Sequence, residues 1–150
     1  MSRESDILKL GALGEALVKD TFEWLGLQVY MSEDRYDTVK DMIVDDESIE
    51  VKTLTPIKKS NSFCMQQSQW NKLDNVDRLF FIEVPDYGNP IIIYEAVKKY
   101  YFTDSFNDGI MRRFYPKQNM RIFRILRDEE LEKQFRNYSD STYLKRGPND

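Results

Sequence analysis

The chain has 150 residues, 41% of them hydrophobic, enough for one domain with one buried core and too many for a disordered chain. It is acidic, with net charge -4. It has one cysteine, Cys64, which excludes an internal disulfide and points to a reducing compartment, and it has no histidine. Without histidine there is no Ser-His-Asp or Cys-His catalysis and no His-ligated zinc. A metal must then sit on oxygen ligands, and a general base must be a carboxylate, lysine, tyrosine or metal-bound water.

Ser5 to Leu25 reads as a helix, capped by Ser5 or Asp6 and ended by Gly26. Leu10, Leu13, Leu17 and Trp24 form one apolar line, and Leu8, Ala12, Val18 and Phe22 a second. Glu15 lies within or beside that stripe, flanked by Gly11 and Gly14. It is either a carboxylate aimed at something or the partner of Lys19 on a solvated edge. Both tryptophans are expected in the core. Leu27 to Met31 reads as a short edge strand. No apolar run reaches the roughly 20 residues needed to span a bilayer, and the N-terminus does not resemble a secretory signal.

The stretch 36–54, YDTVKDMIVDDESIEVKTL, reads as two strands joined by a tight turn. Residues two apart share a face, so Glu50 stands beside Lys52 and Asp37 beside Asp41. With Asp46 and Glu47 as the turn residues, Ile43 faces Glu50 and Asp41 faces Lys52. Two carboxylates and an ammonium group then converge, as a divalent-metal site requires. The carbonyl of Val51, between Glu50 and Lys52, is a further candidate ligand. Magnesium on such carboxylates supplies an activated water and a Lewis acid, and the lysine orients or deprotonates that water or offsets developing charge.

A polar loop with Lys58 and Lys59 follows. A third strand is expected at Ser62 to Gln66, a helix at Gln69 to Asn75 capped by Ser68, and a hairpin of Arg78 to Val84 with Pro90 to Tyr94. Glu95 to Phe102 reads as helical and Thr103 to Gly109 as a loop. Met111 to Arg127 holds six basic residues and no acid: Arg112, Arg113, Lys117, Arg121, Arg124 and Arg127. Such a strip suits a phosphate backbone, although charged surface or a protein contact would look the same. Within it Met120 to Leu126 reads as a strand. Asp128 caps a last helix, and 139–150 reads as a polar tail after a domain of 1–138.

Glu15 on the leading helix, Asp41 in the first hairpin strand and Glu50-Val51-Lys52 in the second resemble the PD-(D/E)XK nuclease superfamily. The likeness covers roughly Ser5 to Tyr94, with Lys40 where the superfamily's name has proline. Asp37 stays open as a rival to Asp41. The resemblance implies a single-domain α/β fold with a restriction-endonuclease-like core, a mixed central β-sheet flanked by helices. It implies a deoxyribonuclease using Mg2+ (or Mn2+), with Asp41, Glu50 and Val51 as ligands, Lys52 assisting the water and Glu15 in or beside the site. Gln69, or Gln66, matches the polar residue that many such nucleases place after the core strands. DNA is the expected partner, held by Lys58, Lys59 and the basic strip, and a homodimer fits an enzyme that cuts two strands. The setting is cytoplasmic, or virion-associated if phage-encoded, with no membrane role. The alternative is an inactive nuclease-like fold serving assembly, for instance in a phage particle.

Overall fold

A computed structural model describes residues 3–31, 42–55, 63–96, 111–114 and 120–139; for 3–5, 63 and 111–114 it describes the backbone alone. The elements in order are α1 (Arg3–Trp24), β1 (Val29–Met31), β2 (Met42–Val44), β3 (Glu47–Leu54), β4 (Phe63–Gln66) and α2 (Gln67–Lys72). They continue with a 3-10 turn (Leu73–Asn75), β5 (Arg78–Glu83), β6 (Ile91–Ala96), β7 (Met111–Phe114), β8 (Met120–Leu126) and α3 (Glu129–Tyr138). The fold is mixed α/β. Six strands form one sheet in the order β1-β2-β3-β5-β6-β8, antiparallel except for the parallel pair β3/β5.

Period-two alternation divides the sheet into two cores. On one face Met42, Val44, Ile49, Val51, Phe80 and Ile82 pack with Leu10, Leu17, Val18 and Phe22 of α1 and Phe135 of α3. On the other face Leu79, Phe81, Tyr94 and Ala96 pack under Met65 of β4, Trp70 of α2 and Leu73. Gly14 lets α1 sit directly on the sheet, since a Cβ there would strike the Thr53 hydroxyl. The helix ends as expected at Gly26, whose φ of 86° closes the turn; Leu27 N–H reaches the Phe22 carbonyl at 3.0 Å and Gly26 N–H that of Glu23 at 2.9 Å.

Several expectations are corrected. Helix α1 begins at Arg3, so Ser5 and Asp6 lie inside it and not at its cap. Trp24 is 72% exposed, because it falls past the buried stripe, and the Arg124 guanidinium stacks 5.1 Å from its ring; Trp70 is in the core as expected. The third strand forms, but β4 pairs with β7 in a separate two-stranded sheet. The next helix starts at Gln67 straight from that strand, so Ser68 is within it and no side chain caps it. Glu95 is strand, not helix, because Arg78 and Arg121 hold its carboxylate against the sheet. Asp128 caps α3 as expected, its carboxylate accepting from Leu131 N–H at 3.0 Å. Ser139 belongs to the fold and not to a tail: it is buried, and its hydroxyl lies 2.9 Å from that of Thr55. The remaining tail, 140–150, the rest of the expected helix, 97–102, and the expected loop at 103–109 lie outside the described residues. Among the described residues no helix is long and apolar enough to cross a membrane.

Candidate functional site

The hairpin turn is set by Asp45 and Asp46, with φ of 49° and 64°. Two successive left-handed residues make the turn that matches strand twist, and aspartate tolerates that conformation better than glutamate does. The register is therefore Met42 opposite Ile49, Ile43 opposite Ser48 and Val44 opposite Glu47. This corrects the expected turn at Asp46-Glu47, in which Ile43 faced Glu50. The partner moves by two residues, so the faces survive. Ile43 shares a face with Ser48, Glu50 and Lys52, while Met42 and Val44 enter the core under α1.

Glu50 is buried at 7% exposure, and Lys52, two residues on, places its ammonium 2.8 Å from the Glu50 carboxylate. The pair sits mid-sheet on β3, facing the layer of β4 and α2. Backbone direction adds a third group. The carbonyls of Ser48 and Leu54 point to β5, accepting from Asp77 N–H at 3.0 Å and Val84 N–H at 2.9 Å. Carbonyls alternate along a strand, so that of Val51 points to the β2 side. Asp41 and Asp37 lie outside the described residues.

Glu15 comes from the other layer. Helix α1 covers the face of Val51 and Thr53, opposite to that of Glu50 and Lys52. Glu15 is half-buried, and the expected pair with Lys19 is replaced by Lys19–Glu23 at 2.7 Å. Gln69 is exposed on α2, in the layer that covers Glu50, while its neighbour Trp70 turns into the core; Gln66 is exposed at the N-terminus of that helix. The structure thus joins Glu50 and Lys52. It leaves Glu15 on the opposite side of the sheet and Gln69 at the surface. Among the described residues no three acidic, histidine or cysteine side chains gather. The donor shown at the pair, the Glu50 carboxylate, is an oxygen ligand, the type that magnesium or manganese prefers.

The basic strip divides between two sheets. Arg121 donates to Glu95 at 3.0 Å, and Arg124 donates to the Thr21 hydroxyl at 2.9 Å, both on the α1 side. A bulge opposite Ile93 and Tyr94 puts Phe123 and Arg124 together under that helix. Arg127 ties Glu132 to the Gly88 carbonyl, at 3.0 and 2.9 Å. These three arginines serve the fold. Arg112 and Arg113 lie on the β7 backbone, opposite Met65 and Cys64 of β4. Lys58, Lys59 and Lys117 lie outside the described residues.

Two polar clusters escaped the sequence reading. Asp77 accepts from the Ser48 N–H at 2.8 Å and its hydroxyl at 3.2 Å, which locks the parallel pair β3/β5. Arg78 grips Glu95 through two hydrogen bonds of 2.8 and 3.1 Å. Burial pushes the Glu95 carboxyl up, but the hydrogen bonds and charges of Arg78 and Arg121 outweigh it, so it titrates below the ordinary value. The hydrogen bond from Arg78 to Glu95 holds the guanidinium above its own ordinary value, against its burial. An arginine opening β5 and a glutamate on its hairpin partner were the available signal. In comparisons with known proteins, no family model and no curated protein matches the chain.

Proposed function

We propose that the chain is a magnesium-dependent deoxyribonuclease of the PD-(D/E)XK superfamily with a restriction-endonuclease-like core. The observation that carries this reading is the Lys52 ammonium 2.8 Å from the buried Glu50 carboxylate, on the second strand of a hairpin. An isolated buried carboxylate is costly, and the adjoining Lys52 ammonium offsets part of that cost. A hard cation beside the pair would be held by Glu50, with the Val51 carbonyl and Asp41 as the further proposed ligands. Magnesium bound there would supply an acidified water and a Lewis acid for a phosphodiester. Glu50 and the Val51 carbonyl would hold the ion. Lys52, paired with Glu50, would present its remaining N–H groups to the phosphate as negative charge develops. Arg112, Arg113 and the loop lysines Lys58 and Lys59 would take flanking phosphates. Glu15 would act from the far side of the sheet on the geometry of β3, not as a ligand.

The test is incubation with linear, supercoiled, branched and single-stranded DNA in magnesium or manganese, alongside magnesium calorimetry on the wild type and Glu50→Gln. Cleavage that chelator abolishes, with metal binding lost in Glu50→Gln, is the expected result. An assembly scaffold that retains only the fold predicts neither cleavage nor metal heat, and that outcome would remove the enzyme reading.

A further inference from the structure

We propose that Arg136 is the floor of an anion site that takes a free or terminal phosphate, with Tyr87 as its cover. Arg136 stands in the last turn of α3 and is 4% exposed. Its Nε and Nη1 are buried, and among the described residues nothing accepts a hydrogen bond from either. The carbonyl end of α3 offsets part of the charge, but it leaves those N–H bonds without acceptors. The contrast lies one turn back. Glu132, 2% exposed, accepts from Arg127 at 3.0 Å and from the Asp128 N–H at 2.8 Å. One buried charge of the helix is matched and the other is not. A buried charged donor without an acceptor is costly, and an ordered water or a bound ion is its usual remedy.

The cover is an aromatic ring on a fixed turn. The Tyr87 ring centre lies 5.5 Å from the guanidinium carbon, and half of the residue is exposed, so the ring stands between Arg136 and solvent. The turn backbone is pinned. Asp86 accepts from the Tyr87 N–H at 2.9 Å, Asn89 N–H donates to the Asp86 carbonyl at 3.0 Å, and Arg127 donates to the Gly88 carbonyl at 2.9 Å. The side chain can therefore turn outward while the backbone stays, and the guanidinium opens to one small ligand. The unmatched hydrogens select that ligand, one on Nε and two on Nη1. A free phosphate or a monoester brings three strong acceptor oxygens and close to two charges. A carboxylate or a phosphodiester brings two free oxygens and one charge. Arginine meets such oxygens with paired N–H bonds in a fixed plane. Glu132 does not repel the anion strongly, because Arg127 already holds its charge.

The test involves no cleavage, so it is independent of the nuclease reading. The folded protein, free of divalent metal and at fixed ionic strength, is titrated with inorganic phosphate, thymidine monophosphate, the diester thymidylyl-thymidine and acetate. NMR follows the Tyr87 ring and the Arg136 Nε–H. Phosphate or the monophosphate is expected to bind about tenfold more tightly than the diester or acetate, the worth of one charge-assisted hydrogen bond. Either order between those two supports the site and tells whether its ligand is the free ion or a nucleotide end. Arg136→Met, checked for native fold by circular dichroism, is expected to lose the binding. Tyr87→Ala, a change at an exposed position, is expected to bind phosphate more tightly, since no ring has to be displaced. No saturable shift, equal shifts with all four ligands, tightest binding by the diester or acetate, binding kept in Arg136→Met, or unchanged or weaker binding in Tyr87→Ala would each overturn the site.

Discussion

Glu95 is the residue whose ionisation the fold uses most visibly. It is 5% exposed, opposite Phe80 in the register, with Arg78 on one side and Arg121 on the other. Its folded-state carboxyl titrates below the ordinary 4.5. The unfolded chain therefore binds this proton more readily. Glu95's contribution to stability is complete above about pH 4.5 and is lost as pH falls through the lower folded value. Arg121 is 68% exposed, so its share is screened and small; Arg78, at 24%, carries most of the effect. Glu95→Gln leaves Arg78 half-buried over the Phe22 and Phe80 rings without its counter-charge. Urea unfolding at pH 7 is expected to show a loss of about 2 kcal/mol. The variant should close the gap to the wild type as pH drops to 3. A difference that persists at pH 3 would show that packing, not charge, is responsible.

The β2–β3 hairpin shows what a sequence reveals about an element and what it hides. Alternation placed Glu50 and Lys52 together, and the structure pairs them at 2.8 Å. The turn lies one residue earlier than the pattern suggests because either acidic pair, Asp45-Asp46 or Asp46-Glu47, can form a two-residue loop; only backbone conformation separates them. Left-handed φ at two aspartates is tolerated but strained. Asp46→Gly is accordingly expected to stabilise the protein by about 0.5–1 kcal/mol in urea, with the register unchanged. Unchanged or lower stability would mean that the Asp46 side chain contributes to the turn. The strand end at Glu95 is hidden in the sequence because its partners, Arg78 and Arg121, come from β5 and β8. The pairing of β4 with β7 was equally hidden, since 44 residues separate the facing ends Gln66 and Met111 and no local pattern records them.

At the scale of the whole molecule the mixed sheet between helical layers was legible from the order of elements, because buried runs such as Arg78–Glu83 leave few alternatives. The layer from which a side chain approaches was not legible. Glu15 and Glu50 follow one motif in sequence, but Gly14 seats α1 on Thr53, on the face turned away from Glu50. The basic strip looked continuous in sequence and is divided by the fold, with Arg121, Arg124 and Arg127 spent on internal pairs. The proposed chemistry therefore rests on β3 and the β2 side of it, and on the lysine above all. The most direct measurement is the initial rate of magnesium-dependent DNA cleavage by Lys52→Ala against the wild type, with both shown folded by urea unfolding. The account predicts a wild-type rate at least about 100-fold higher, the scale of losing one charge-stabilising donor. Equal rates in the two proteins, or no cleavage by the wild type, would contradict it.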